Sequence, residues 1–267
     1  LFIACIIVAL ARPQKTNERV NQFTEGIDIM LVLDISESMQ IEDFSPNRLE
    51  AAKKVAKSFV QGRLHDRIGM VVFSGDAYSL SPLTTDYKLL ESYIDEIRFD
   101  LIKKGGTAIG SAIAVATNRL RESESKSKVM ILLSDGDNTA GNINPITAAE
   151  LAHAFGVKIY TIAVGKDGQV PFGKDPYGNV QYVQNVLDET TLRKIATIGE
   201  GKFYRASNNS ALRNIFSTID KYEKAEIKET RYKDTRDYYD IYIIWAIMFL
   251  LIWLITKGTF LTNAMED

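Results

Sequence analysis

Two acidic and three hydroxyl side chains stand in this chain at places where they could share a ligand. Asp34-Ile35-Ser36-Glu37-Ser38 puts a carboxylate and two hydroxyls at alternate positions, so in an extended or turning segment Asp34, Ser36 and Ser38 point one way. Gly105-Gly106-Thr107 adds a flexible turn with a hydroxyl just ahead of a helical stretch, and Ser134-Asp135-Gly136-Asp137-Asn138 adds a second carboxylate. All are hard oxygen donors, suited to Mg²⁺ first, with Mn²⁺ or Ca²⁺ as alternatives, and unsuited to thiophilic metals. With only Asp34 and Asp135 as anions, such an ion stays electrophilic and partly hydrated, and a carboxylate from another protein would complete its shell. Each piece is weak alone. An Asp-x-Ser-x-Ser run is as often a turn or cap signal, and Thr107 by itself fits a helix N-cap.

Position is what raises the signal. Ile27 to Leu33, Ile68 to Phe73, Val129 to Leu133 and Ile159 to Val164 are short, β-branched-rich and nearly continuous in hydrophobicity, the pattern of strands buried on both faces. Between them Asn47 to Gln61, Asp86 to Ile97, Ala108 to Leu120 and Pro145 to Phe155 carry apolar residues three and four apart. Ser45-Pro46 and Thr84-Thr85-Asp86 are capping candidates. Alternating strands and helices predict an α/β fold, a Rossmann-like, doubly wound, mostly parallel sheet covered on both sides. Ligands in such sheets bind beyond the carboxyl ends of the strands, which is where Asp34 and Asp135 fall. Residues 165–186, with four glycines and two prolines, read as a surface loop or hairpin. A helix over Asp188 to Ile198, a short strand over Lys202 to Arg205 and a last helix from Asn209 or Ser210 follow.

Taken together and in order, these pieces resemble a von Willebrand factor type A domain. The metal-ion-dependent adhesion site of that family is Asp-x-Ser-x-Ser, a later Thr, and a later Asp in a Ser/Thr-Asp-Gly turn, matched here by Asp34, Ser36, Ser38, Thr107 and Asp135. The likeness extends to Asp43-Phe44-Ser45-Pro46-Asn47-Arg48-Leu49-Glu50-Ala51-Ala52-Lys53, Asp66-Arg67-Ile68-Gly69, Pro82-Leu83-Thr84-Thr85-Asp86-Tyr87, Gly106-Thr107-Ala108-Ile109-Gly110 and Tyr160-Thr161-Ile162. These resemble the BatA-like branch of the Bat aerotolerance proteins, bacterial membrane proteins with the A domain between transmembrane helices. The resemblance implies a MoxR-type AAA+ ATPase and other A-domain proteins as partners, an envelope or stress role, and no catalytic activity. It also implies a last helix that shifts with the metal site, here expected to continue through a stalk into the membrane.

The ends of the chain read separately from the middle. Ile241 to Ile255 has no charge, with Tyr239, Tyr242 and Trp245 at one end, Trp253 at the other, and Lys257 beyond; with its flanks it reaches about 28 Å as a helix, enough for a span. A buried core helix is the alternative, but every face is apolar. Leu1 to Ala11 is apolar over roughly 16 Å of helix and reads as the end of a transmembrane helix cut at its start, against a signal-peptide core ending in Ala9-Leu10-Ala11. The expected organisation is a truncated transmembrane helix over 1–11, a linker over 12–25, the A domain over 26–220, a charged stalk over 221–237, a transmembrane helix over 238–257 and a tail over 258–267. Arg12, Lys15 and Arg19 after the first span and Lys221, Lys224, Lys228, Arg231, Lys233 and Arg236 before the second outnumber Lys257, so the positive-inside rule puts the middle on the cytoplasmic side of a bacterial inner membrane.

Composition closes other routes. One cysteine, Cys5, and two histidines, His65 and His153, make no disulfide framework and no Cys/His zinc centre. Thirty-two basic against 34 acidic side chains leave no basic footprint for nucleic acid, and no phosphate-binding glycine motif follows a strand. A Mg²⁺-dependent Asp-based phosphohydrolase is the rival reading of Asp34 and Asp135. Those enzymes need a second Asp two positions on as general acid, and here that position is Ser36. Glu37, Glu42 and Asp137 read as solvated, Arg48, Asp66 and Arg67 as structural ion pairs or caps, His153 as a surface residue and Tyr160 as core. The inward register of the His153 helix is Ala149, Ala152 and Phe155.

Overall fold

The computed structural model describes residues 2–18, 26–125, 127–135, 138–174, 179–185, 187–227 and 233–257. In chain order the elements are α1 (Phe2–Leu10), β1 (Gln14–Glu18), β2 (Asp28–Asp34), α2 (Arg48–Gln61), β3 (Arg67–Phe73), β4 (Ala77–Thr84), α3 (Tyr87–Glu96), α4 (Ile109–Arg121), β5 (Lys128–Ser134), α5 (Pro145–Ala154), β6 (Val157–Val164), β7 (Gly168–Lys174), β8 (Val180–Asn185), α6 (Glu189–Ile198), β9 (Phe203–Ala206), α7 (Asn209–Ile227), β10 (Lys233–Asp237) and α8 (Tyr239–Thr256). Two compact units result, Thr24–Ile227 and, separately, Leu1–Phe23 with Lys228–Asp267.

The larger unit is the expected doubly wound α/β fold. Its sheet runs β4-β3-β2-β5-β6-β9, parallel throughout except for β4, which is antiparallel to β3 at one edge. Along β2 successive side chains enter opposite cores, because strand side chains alternate. Ile29, Leu31 and Leu33 pack with Leu49 and Phe59 of α2, Leu90 and Ile94 of α3, and Leu212, Phe216 and Ile219 of α7. Met30 and Val32 pack on the other face with Ile113 and Ala116 of α4, Ala148 and Ala152 of α5, and Leu192 and Ile195 of α6. Every residue of β2 is buried, which explains the apolar run over residues 29–33 between its two terminal aspartates.

Helix starts follow short polar side chains. Asn47 accepts the Glu50 N–H at 2.8 Å, Asp86 the Leu89 N–H at 3.0 Å, and Asp188 the Thr190 N–H at 3.0 Å. Asp86 thus acts as expected, whereas the cap of α2 is Asn47 and not Ser45-Pro46. In α5, Ala149 and Ala152 are buried, but Phe155 is 43% exposed, since it is the C-cap and has left the inward stripe. His153 is exposed and Tyr160 is buried in β6.

Helix α7 extends past the boundary at 220. Its Glu223 is buried, accepting the Tyr160 hydroxyl at 2.5 Å with Lys158 at 3.4 Å, so this turn belongs to the domain's packing. The helix does not run on as one rod. The described chain resumes after it as β10, whose Lys-Asp-Thr-Arg-Asp sequence offers no apolar stripe to a helix and instead pairs antiparallel with β1, Gln14 opposite Asp237 and Glu18 opposite Lys233. Arg19, Lys228, Arg231 and the tail lie outside the described residues.

In the terminal unit α1 packs along α8, and among the described side chains the buried residue in each is an alanine, Ala9 and Ala246. Small residues let two apolar helices approach closely. Arg12 pairs with Asp237 at 3.5 Å and stacks 5.7 Å from the Tyr239 ring, while Lys257 lies 5.0 Å from the Trp253 ring. With 18 residues, about 27 Å of rise, α8 is the one helix among the described residues long and apolar enough to cross a membrane.

Candidate metal centre

Asp34 is the last residue of β2, and the chain turns at once because its carboxylate accepts the Ser36 N–H at 2.8 Å. The Ile35 N–H still donates to Phe73 of β3, while Ser36 stands at the N-cap position of a 3₁₀ turn over Glu37–Gln40, its hydroxyl making no cap bond, and Met39 anchors that turn in the core. The Ser36 and Ser38 hydroxyls consequently sit 3.1 Å apart. Ser134, ending the neighbouring β5, donates its hydroxyl to the other Asp34 oxygen at 2.6 Å, and Asp135 follows directly.

Thr107 reaches the same sheet edge through its backbone. The Ala108 N–H donates to Ser74, just past β3, and the Thr107 carbonyl accepts the Thr139 and Ala140 N–H groups of the loop beyond Asp135. The Thr107 N–H in turn donates to the Thr139 hydroxyl at 3.0 Å. Capping of α4 does not use Thr107: the cap position is Ala108, and the Ile109 N–H is taken by Asn138 at 2.9 Å. Thr107 is therefore held between the loops that follow β3 and β5, buried, with its helix start served by another residue.

Electrostatics single this place out. Asp34 is 0% exposed, and burial, then the Asp135 charge, push its pKa up from 3.8 to about 7 against the downward pull of its Ser134 and Ser36 hydrogen bonds. Two carboxylates share a desolvated site, whose repulsion and lost hydration a divalent cation would relieve, against the charge of Arg48 beside Asp135. Among the described residues no three His, Cys, Asp or Glu side chains gather as a metal cluster. An ion here would be held by two carboxylates and hydroxyls, a donor set that fits Mg²⁺ and leaves coordination positions for water or an incoming acid.

Several neighbours were not singled out by sequence. Ser134, Asn138 and Thr139 fix the loops, and Arg48, read as a structural pair, is fully buried with its guanidinium on Asp43 and 3.3 Å from Asp135. Polar residues beside a proposed ligand were a usable signal for Ser134 and Asn138. Nothing in the sequence marks Arg48 as buried. Glu37 and Glu42 are exposed, Asp66 pairs with Arg63, Arg67 pairs with Asp28, and Asp137 lies outside the described residues.

Fold and family are shared with known proteins. Residues 28–218 match the von Willebrand factor type A domain. An uncharacterized protein of Borreliella burgdorferi is 31% identical across 98% of this chain and 78% of its own length. The crystal structure of conserved hypothetical protein BatB from Bacteroides thetaiotaomicron is 35% identical, covering 74% of this chain and 100% of that one with a TM-score of 0.65. An aerotolerance-related membrane protein from Bacteroides fragilis is 34% identical, covering 73% and 100% of the two chains with a TM-score of 0.62. Across its curated relatives the chain spans between 58% and 78% of their length.

Proposed function

Because the chain belongs to the von Willebrand factor type A domain family, among the Bat aerotolerance-related membrane proteins, we propose that it is a membrane-anchored docking module. Asp34, Ser36, Ser38, Thr107 and Asp135 hold a divalent cation, Mg²⁺ before Mn²⁺ or Ca²⁺, and the ion receives an acidic side chain of a protein partner. The partners proposed are a MoxR-type AAA+ ATPase and other A-domain membrane proteins of a BatA-like system, in an envelope or stress-related complex. The domain faces the cytoplasm from the bacterial inner membrane, following the charge asymmetry beside its apolar ends.

The observation that carries this reading is the buried pair Asp34 and Asp135 at the ends of adjacent parallel strands, with the Ser36 and Ser38 hydroxyls brought to 3.1 Å of each other beside them. Docking, and not turnover, fits the site, because Ser36 occupies the position where an Asp-based phosphohydrolase carries its general acid, and a hydroxyl does not fill that role near neutral pH.

The test is a pull-down from membrane extracts with Mg²⁺ or with EDTA, using the wild type and Asp34→Ala. Chelation and the substitution are both expected to release the same partners and to abolish Mg²⁺ binding in calorimetry. A variant that retained full, EDTA-sensitive partner binding would remove these residues from the site. Phosphatase turnover by the purified protein, lost in Asp34→Asn, would establish the enzymatic reading instead.

A further inference from the structure

Arg48 opens α2, and its side chain is among the largest fully buried ones in the chain. A buried guanidinium persists only when its donors are matched, and here they are divided between two acids. Nε and Nη2 donate to the two oxygens of Asp43, both at 2.8 Å, while Nη1 reaches Oδ2 of Asp135 at 3.3 Å. The side chains of Arg48, Asp43 and Asp135 are 0%, 1% and 9% exposed. Asp43 is itself fixed, since its Oδ2 accepts the Lys166 N–H at 2.8 Å and the preceding Glu42 N–H donates to Pro171 of β7 at 2.9 Å. The backbone of Gly165 passes so close that a Cβ there would stand 2.8 Å from the guanidinium carbon, so the guanidinium has little room to move. The Asp43 fork thus aims the third donor at one metal-site carboxylate.

We infer that Arg48 is a positioning residue of the metal centre: anchored by Asp43 and the chain at Gly165 and Lys166, it fixes one oxygen of Asp135 and thereby sets the affinity of the site for its divalent ion. The inference rests on the metal-binding reading of the preceding subsection. Two effects of Arg48 oppose each other. Its charge repels an incoming cation, whereas its hydrogen bond orients a ligand, and outer-shell groups that orient ligands typically change metal affinity by roughly 10- to 100-fold. Arg48→Lys separates them, because lysine keeps the charge but cannot hold Asp43 with a fork and reach Asp135 as well.

The experiment measures Mg²⁺ and Mn²⁺ dissociation constants by calorimetry on the full chain in detergent, with thermal unfolding in EDTA as the fold control. Arg48→Lys is expected to weaken binding by roughly 10-fold or more. In an Asp135→Asn background, read with Mn²⁺, the same substitution is expected to change affinity by no more than about twofold, the signature of action through Asp135. Asp43→Asn, which leaves Arg48 and the five proposed ligands in place, is expected to weaken binding in the same direction and carries the test should Arg48→Lys not fold. Unchanged dissociation constants in folded Arg48→Lys or Asp43→Asn would make the pair structural only and overturn the inference. Tighter binding in Asp43→Asn, or an undiminished Arg48→Lys effect without Asp135, would overturn it as well. A wild type that binds neither ion would remove the metal reading, and this inference with it.

Discussion

Asp34 concentrates the chemistry of the protein in one side chain. Its carboxyl is held near pH 7 in the metal-free fold, against an unfolded value of about 3.9. Between those values the folded state keeps a proton that the unfolded chain has released. Stability of the metal-free protein therefore contains a contribution that is complete below about pH 4 and is lost as pH rises through about 7. Denaturant unfolding in EDTA from pH 4 to 8 is expected to show this decline in the wild type, and subtraction of the Asp34→Asn profile should isolate it. Saturating Mg²⁺ is expected to reverse the trend, since the ion binds the deprotonated site. An identical pH profile for wild type and Asp34→Asn in EDTA would contradict the buried, repelled state of this group. Asn138 is the neighbouring case in which loop and helix meet in one side chain: Asn138→Ala removes the acceptor for the Ile109 N–H and is expected to cost about 1 kcal/mol in equilibrium unfolding.

At the scale of elements, the site depends on how tightly α4 and α5 are stacked. The first turn of α4 crosses the chain before α5 so closely that a Cβ on Gly110 would lie 1.9 Å from the Ile143 carbonyl oxygen. Gly110→Ala must push these segments apart, and the loop bearing Asn138 and Thr139 lies between them in sequence. It is expected to destabilise by about 1–3 kcal/mol or more and to weaken Mg²⁺ binding, measured by thermal unfolding and calorimetry. A variant as stable and as metal-competent as wild type would show the packing to be looser than described. The parallel strands and their helices were legible because burial on both faces or on one stripe leaves a local pattern. Strand β4 was not, since its residues are half-exposed at the sheet edge and include Pro82, and what makes it a strand is pairing with β3.

For the whole molecule, the terminal unit carries the finding that sequence patterning least prepared. The last five residues of the segment read as a solvated stalk, Lys233–Asp237, form one strand of a ribbon that joins residues more than 200 positions apart, with Gln14 donating to Asp237 at 2.7 Å. Thr16 lies opposite Thr235 in that ribbon. In a Cys5→Ser background, Thr16→Cys with Thr235→Cys is expected to form an intramolecular disulfide under mild oxidation, read as a mobility shift that reductant removes. Failure to cross-link, with Gln14→Cys and Asp237→Cys also silent, would refute the pairing. The same preparation should sediment with membranes and resist alkaline extraction through α8.

The sequence by itself determined the strand and helix alternation, the doubly wound class and the apolar C-terminal helix, because each rests on periodicity within a few residues, whereas the five proposed ligands, spread from Asp34 to Asp135, came from the family resemblance. Tertiary structure decided what depends on distant neighbours. Ser134 meets Asp34 from 100 residues away and Arg48 meets Asp135 from 87. Arg48 reads from sequence as a structural ion pair or cap, and the pairing holds, but which acids it meets and how deeply it is buried depend on the chain at Gly165 and Lys166 passing beside it and Asp43. The same reason separates β4 and β10 from the central strands: an edge or ribbon strand takes its conformation from hydrogen bonds to a partner, and that partner is named nowhere in its own residues.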